Sequence, residues 1–215
     1  NVNYLSKRFH DCHWRDRQVD SIVKFKVTKL DDVYDKEQKI DFLKIDTQGS
    51  EYDVLLGAKE TILKHSPIIY CECWLDMVYK DAPLADKIMG LMYELGYKVA
   101  AMQIGADWDT NTASNAPGRK IPVGVDFVFV PGDLHNVNNH RSIVARCVIL
   151  ECLGLFQLSL ETAKCANSDM IKNCSYLSRQ KKRIKRLPNR KLIKALDFCE
   201  RGPFKAMKLV PNLYD

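Results

Sequence analysis

The sequence contains no uninterrupted apolar run of the roughly 20 residues that a membrane-spanning helix requires. Its most apolar stretch, residues 143–160, contains Arg146 and Glu151 and is better interpreted as a buried amphipathic helix. The first residues do not resemble a signal peptide, because charged side chains interrupt every apolar segment there. We therefore expect a cytoplasmic protein with no transmembrane segment.

Two common kinds of binding site are also missing. The eight cysteines form no paired Cys-x-x-Cys units, and Cys71 and Cys73 lie too close along one predicted strand to surround an ion. No metal site is predicted, and reduced, mostly buried thiols are expected. The sequence also has no P-loop, which argues against the P-loop class of nucleotide-binding proteins.

Positive charge is concentrated in the C-terminal part of the chain. Residues 132–215 contain 16 Lys and Arg against 7 Asp and Glu, whereas residues 1–131 contain 17 against 20. Residues 179–194 are especially basic and predict contact with nucleic acid, an anionic membrane surface or an acidic protein. The alternative interpretation is a solvated helix face. No aromatic residues are interleaved in this run for stacking on single strands.

Apolar runs alternate with helical patterns through the middle of the chain, which predicts an α/β layered sheet. Helices are predicted from Ser50 to His65 and from Leu84 to Leu95, ended by Pro67 and Gly96. The last two strands are expected to pair antiparallel. The predicted strands are a short one at residues 22–30, then 41–45, 68–73, 97–102 and 125–130.

The remaining segments predict connections and an extension. Residues 1–21 are interpreted as an irregular surface connection, and residues 103–124 as either a mobile loop near the active site or a surface insertion. Residues 140–165 predict one long helix or two, and residues 168–198 predict further helices. We therefore divide the chain into residues 1–131 and a basic helical extension, residues 132–215.

A possible site follows the strand at residues 41–45. Asp46 ends that strand, and ligands of open α/β sheets bind outside the carboxyl ends of the strands. Gly49 permits a sharp turn before a helix that Ser50 can cap, with Asp53 completing a capping box. Asp46 and Gln48 therefore lie near a helix N-terminus. They could orient a polar substrate, accept a proton or hold a metal ion, although Asp46 could simply cap the helix.

The same segment carries a longer ordered pattern. Residues 41–51 read Asp-Phe-Leu-Lys-Ile-Asp-Thr-Gln-Gly-Ser-Glu, preceded by Leu-Asp-Asp at 30–32 and followed by Val-Leu-Leu-Gly-Ala at 54–58. Pro67 and Glu72 continue the pattern. Over residues 19–131 the chain resembles FkbM-family methyltransferases. Lys29 and Thr47-Gln48 depart from the residues most frequent in that family.

The resemblance implies a partial Rossmann-like methyltransferase sheet that binds S-adenosylmethionine. It implies methyl transfer, in our interpretation to a hydroxyl of a small-molecule or glycan acceptor. The expected catalytic residues are Asp46, Glu51 and Glu72, and the expected cofactor-binding residues are Asp46, Gln48 and Gly49. The glycine-rich turn that such domains use for the donor is not in the sequence, so we expect most of the donor site to lie outside this chain.

Several residues have competing interpretations. Trp74 and Trp108 could line a substrate pocket or pack in a core, and Glu72 could instead be a rim carboxylate. Lys44 is expected to form a structural ion pair with Asp31 or Asp41. No chemistry is assigned to His65 and His135. The alternative function is an inactive methyltransferase-fold scaffold whose basic helices contact RNA or an acidic partner.

Overall fold

The computed structural model describes residues 2–9, 21–34, 38–110, 119–134, 140–173 and 175–186. The strands are β1 (Phe42–Ile45), β2 (Ile68–Trp74), β3 (Tyr97–Trp108) and β4 (Ile121–Pro131). The helices are α1 (Val2–Arg8), α2 (Leu30–Val33), α3 (Glu51–Leu56), α4 (Lys59–His65), α5 (Ala85–Glu94), α6 (His140–Cys152), α7 (Phe156–Lys164), α8 (Ser168–Asn173) and α9 (Ser175–Arg186).

The four strands form one mixed sheet in the order β1-β2-β4-β3. β1 and β2 are parallel, and their connection contains the helices α3 and α4. β4 is antiparallel to both β2 and β3, which confirms the predicted antiparallel pairing of the last two strands. The α/β fold class is therefore confirmed, and it is consistent with a Rossmann-like methyltransferase.

One face of the sheet is closed by α3, α4 and α5. Leu55, Ile62 and Met92 from these helices are fully buried against Ile45 and Phe129 of the sheet. Cys71 and Cys73 of β2 point into the same core, with their sulfur atoms 3.9 Å apart. Ile69 packs on this face and Ile68 on the other, and both are fully buried, which explains why β2 begins as an apolar run rather than as a strict alternation.

The opposite face is closed in part by α6 and its neighbour α7. Ile68, Val128 and Val130 pack there with Leu150 of α6. Along β2, the half-buried Tyr70 and Glu72 alternate with the buried cysteines and so belong to this second face. Near the carboxyl ends of β1 and β2, Asp46 and Glu72 provide polar side chains next to the buried Trp74.

Two predicted segments near the start of the chain differ from the structure. Residues 21–29 form no strand, and Ile22, Phe25 and Val27 are more than three-quarters exposed, so the alternating pattern lacks a pairing strand among the described residues. Residues 2–8 form helix α1, whose Leu5 is buried, instead of an irregular connection. Residues 10–20 lie outside the described part of the chain.

The predicted loop at residues 103–124 is mostly a β-hairpin. β3 continues to Trp108 and β4 begins at Ile121, and their register includes Gln103 opposite Asp126. Shifts in register interrupt the pairing, which is why the sequence pattern of two strands was obscured. Residues 111–118 at the tip are not described.

The helix predicted from Ser50 to His65 is two helices. Gly57 and Ala58 separate α3 from α4, and Ser66 adopts a left-handed conformation just before Pro67. Ser50 occupies the N-cap position as predicted, but its side chain makes no capping hydrogen bond. Residues 140–165 are likewise two helices, α6 and α7.

The chain divides into two compact units, with the boundary between Ala166 and Asn167. The first contains the sheet together with α1 to α7, and the second contains α8 and α9. Our division of the chain at residue 131 stays a prediction. None of the described helices is both long and apolar enough to cross a membrane. Of the basic run, α9 ends at Arg186 and residues 187–194 lie outside the described part.

Candidate active site at the carboxyl edge of β1 and β2

The turn between β1 and α3 has an unusual backbone. Gln48 has a φ of 57° and Gly49 a φ of 112°, so two consecutive residues lie in the left-handed half of conformational space. For Gln48 this conformation is costly, and such strain is often found at functional sites. The turn reverses the chain within a few residues and points the Gln48 side chain back over the end of the sheet.

Glu51 holds this turn in place. Its carboxylate is almost fully buried and accepts hydrogen bonds from the backbone N–H of Thr47 at 2.8 Å and of Gly49 at 3.0 Å. The Thr47 hydroxyl donates to it as well. Glu51 also lies in the first turn of α3, where the helix dipole favours a negative charge. These contacts assign Glu51 a role in shaping the turn.

Gly49 is required by both conformation and space. A side-chain carbon added at Gly49 would lie 2.9 Å from Cγ of Tyr79, so the ring of Tyr79 fills the space that glycine leaves open. Tyr79 also packs edge-to-face against Trp74. The open side of Gly49 is therefore occupied by protein and is not available for the close backbone approach of a ligand.

Gln48 joins the ends of the two parallel strands. Its amide nitrogen donates to Asp46 Oδ1 at 2.7 Å and to Glu72 Oε2 at 2.6 Å. Its amide oxygen accepts a hydrogen bond from the Tyr79 hydroxyl. The structure therefore brings together Asp46, Gln48 and Glu72 as the sequence predicted. It adds Tyr79, which no sequence pattern had singled out.

Lys44 and Asp46 form an ion pair at 2.7 Å, two residues apart on the same side of β1. The expected partners of Lys44, Asp31 and Asp41, were therefore wrong. The hydrogen bond from Lys44 is the main cause that lowers the pKa of Asp46, and the Gln48 amide adds to it. Asp46 is consequently held as a carboxylate.

The pKa of Glu72 is shifted upwards, in the opposite direction to that of Asp46. Partial burial, followed by the charges of Asp46 and Asp126, raises its pKa to about 7. Asp126 lies directly across from Glu72 on β4, and like charges in that position repel. Asp46 and Glu72, which share the Gln48 amide, thus differ in protonation near neutral pH. Enzymes that use two carboxylates in different roles, one as an acid or base and one as a permanent anion, have such a difference in pKa.

Several other predicted residues have structural roles. Trp74 and Trp108 are both buried in a cluster with Phe9 and Leu5 of the N-terminal segment, so both pack in a core. Asp31 of the Leu-Asp-Asp element accepts hydrogen bonds from the backbone N–H of Glu60 and Thr61 at the start of α4. Asp31 thereby caps a helix that lies far along the sequence.

Comparison with known families identifies the segment that contains this site. Residues 5–99 match the family described as the methyltransferase FkbM domain. This segment of the chain is therefore similar to the FkbM methyltransferase domain. No curated protein and no solved structure was found to match the chain.

The FkbM domain contains all the residues of the turn and of β2 that form the candidate site. Its match ends at Val99, near the start of β3, so Asp126 on β4 lies outside the matched segment. The match supports methyltransferase activity in general, and the polar side chains of this segment converge at the carboxyl edge of β1 and β2. A cavity of about 760 Å³ near Lys98 and Phe156 is lined by none of Asp46, Gln48 and Glu72.

Proposed function

We propose that this FkbM domain transfers a methyl group from S-adenosylmethionine to a hydroxyl oxygen, at the edge formed by Asp46, Gln48 and Glu72. The observation that carries the proposal is the Gln48 amide, which fixes Asp46 and Glu72 in one hydrogen-bonded group at the carboxyl ends of adjacent parallel strands. Ligands of such sheets bind at this edge.

Glu72 is suited to accept the proton that the hydroxyl must lose. A carboxylate whose pKa is about 7 is ionised in a substantial fraction at neutral pH and is more basic than an ordinary glutamate. The Gln48 amide donates a hydrogen bond to Glu72 and so restricts the position of its carboxylate. Asp126 lies opposite Glu72 on β4. Asp46 remains ionised beside Lys44 and does not compete for the proton.

The residues present fit part of the methyl donor. S-adenosylmethionine carries a positively charged sulfonium group, and the carboxylates of Asp46 and Glu72 provide negative charge at the edge. Asp46 is 39% exposed, which leaves it accessible to a ligand. Asp46 and Gln48 are therefore the residues that would face the donor, which supplies the methyl group. Gly49 does not contact the donor in this proposal, because the Tyr79 ring fills the space beside it. Its role is to permit the turn that positions Gln48.

The acceptor is proposed to be a small molecule or glycan that carries several hydroxyl groups. The carboxylate oxygens of Asp46 and Glu72 can accept hydrogen bonds from the hydroxyl groups of such a molecule. A methyl transfer of this kind depends mainly on positioning the two reactants, with proton removal as an additional contribution.

Calorimetric titration of the full-length protein with S-adenosylmethionine tests the donor directly. We expect saturable heat release, and an Asp46→Asn variant is expected to bind about tenfold more weakly because one charged hydrogen-bond partner is lost. Glu94→Gln, an exposed change on α5, is the control. Absence of heat at millimolar donor would contradict the proposal and favour the inactive scaffold.

A further inference from the structure

Arg146 of α6 lies at the opposite end of the sheet from the candidate active site. Its side chain is 3% exposed, and it lines a cavity of about 190 Å³. The cavity lies where β3 begins and β4 ends, next to the C-terminal end of α4. Its lining comprises Ile62, Leu63, Ser66, Leu95, Gly96, Tyr97, Pro131, Gly132, Asp133 and Arg146.

The guanidinium of Arg146 is anchored by neutral partners. One terminal nitrogen donates to the backbone oxygen of Leu134 at 3.0 Å, and the other donates to that of Ser66 at 3.1 Å. A guanidinium has five N–H donors, so these two contacts leave others available. The two carbonyls fix the plane of the group without neutralising its charge.

Arg146 forms no ion pair with any residue in the described part of the chain. Burial is the main cause that lowers its pKa, and electrostatic interactions with Tyr97, Asp41 and Asp133 only partly oppose that shift. An arginine nevertheless stays protonated in proteins. A buried cation without a contacting anion is unfavourable, so a contacting anion would stabilise this part of the fold.

We propose that this cavity is a binding site for a small oxyanion, such as inorganic phosphate or a short carboxylate, with Arg146 as its main ligand. The planar fork of a guanidinium matches both kinds of oxyanion. The volume is below the 300 Å³ or so that drug-sized ligands occupy, which restricts the occupant to a small ion.

Leu63 allows the site to be tested without disturbing the core. It lines the cavity, yet its side chain is 58% exposed, so a polar replacement is compatible with folding. Leu63→Glu places a negative charge beside the proposed anion, and Leu63→Gln has nearly the same shape without the charge. Any difference between the two variants therefore reports on electrostatics at this cavity.

The experiment is a calorimetric titration with inorganic phosphate, sulfate and acetate at constant ionic strength, with chloride as the reference ion. We expect saturable binding of phosphate or acetate to the unchanged chain and to Leu63→Gln, and about tenfold weaker binding to Leu63→Glu. Comparison of phosphate with acetate distinguishes a tetrahedral from a planar oxyanion. No binding beyond that of chloride, or equal binding by both Leu63 variants, would overturn the proposal.

Two further variants strengthen the assignment to Arg146. Asp133→Asn removes a negative charge from the cavity wall and should tighten anion binding by several-fold. Arg146→Lys keeps the charge but loses the fork, so anion binding should fall while the circular dichroism spectrum is retained. If Arg146→Lys fails to fold, the comparison of the two Leu63 variants decides alone.

Discussion

The side-chain amide of Gln48 donates to the carboxylate of Glu72 across 2.6 Å, although 24 positions separate the two residues in the sequence. The contact depends on the left-handed backbone at Gln48, which directs the side chain towards β2. The strained turn is therefore linked directly to Glu72, the carboxylate whose pKa is raised. Variants of Glu72 and of the residues around it test the proposed activity most directly.

Replacement of Glu72 should abolish most proton transfer. In Glu72→Gln we expect kcat to fall by about 100-fold or more, which is typical when a general base is lost. In the unchanged enzyme, kcat/KM should rise with pH and level off above about 7, because only the ionised carboxylate accepts a proton. A methyl-transfer assay over a pH series measures both effects. Glu94→Gln on α5 should leave rate and profile unchanged.

Asp126 should set the pH at which Glu72 works. Partial burial is the main cause of the raised pKa of Glu72, and the charges of Asp46 and Asp126 follow it. Asp126→Asn removes one of these charges, so the midpoint of the kcat/KM profile should move to lower pH by a fraction of a unit. An unshifted midpoint would show that Asp126 does not act on Glu72. Asp86→Asn on α5 is the matched control.

Tyr79→Phe separates packing from hydrogen bonding at the turn. The ring should still fill the space beside Gly49 and contact Trp74, while the hydroxyl bound to the Gln48 amide oxygen is lost. We expect unfolding in urea to change by only about 1 kcal/mol. Activity should drop several-fold as Gln48 loses one of its anchors. Unaltered activity would mean that Tyr79 does not position Gln48.

Gly49→Ala should destabilise the fold. The φ of 112° is unfavourable for alanine, and the new carbon would lie 2.9 Å from the Tyr79 ring. Strain of this kind costs about 1–3 kcal/mol. Gly90→Ala on α5 is the matched control, because nothing lies within 4 Å of the added carbon and alanine favours helices by about 1 kcal/mol. Urea titration should show opposite shifts for the two variants.

Asp31→Ala should weaken α4 through the loss of its cap. Removal of the carboxylate leaves the N–H groups of Glu60 and Thr61 without this acceptor. The free energy of unfolding is expected to fall by about 1 kcal/mol, as for other capping residues. Asp32→Ala, one position along in an exposed site, should have a much smaller effect. Equal effects would show that the cap does not stabilise the helix.

The sequence predicted the elements whose signal is local. β2 begins at Ile68 and α5 ends beside Gly96, as the apolar pattern and the glycine indicated. It failed where tertiary contacts replaced local preference. Residues 21–29 have the alternation of a strand but no partner among the described residues, and the hairpin of β3 and β4 is hidden by register shifts. Pairing between distant segments decides such elements, and composition does not encode it.

For the candidate site, the sequence alone predicted Asp46, Gln48 and Glu72, because each follows or lies within an apolar run that ends at one edge of a parallel pair. It also indicated the resemblance to the FkbM family through the ordered pattern around Asp46, and residues 5–99 match that family. Only the tertiary structure decided the roles of the neighbours. Glu51 shapes the turn, Asp31 caps α4, and Lys44 pairs with Asp46. Those roles depend on distances across the fold, which side-chain type and spacing do not fix.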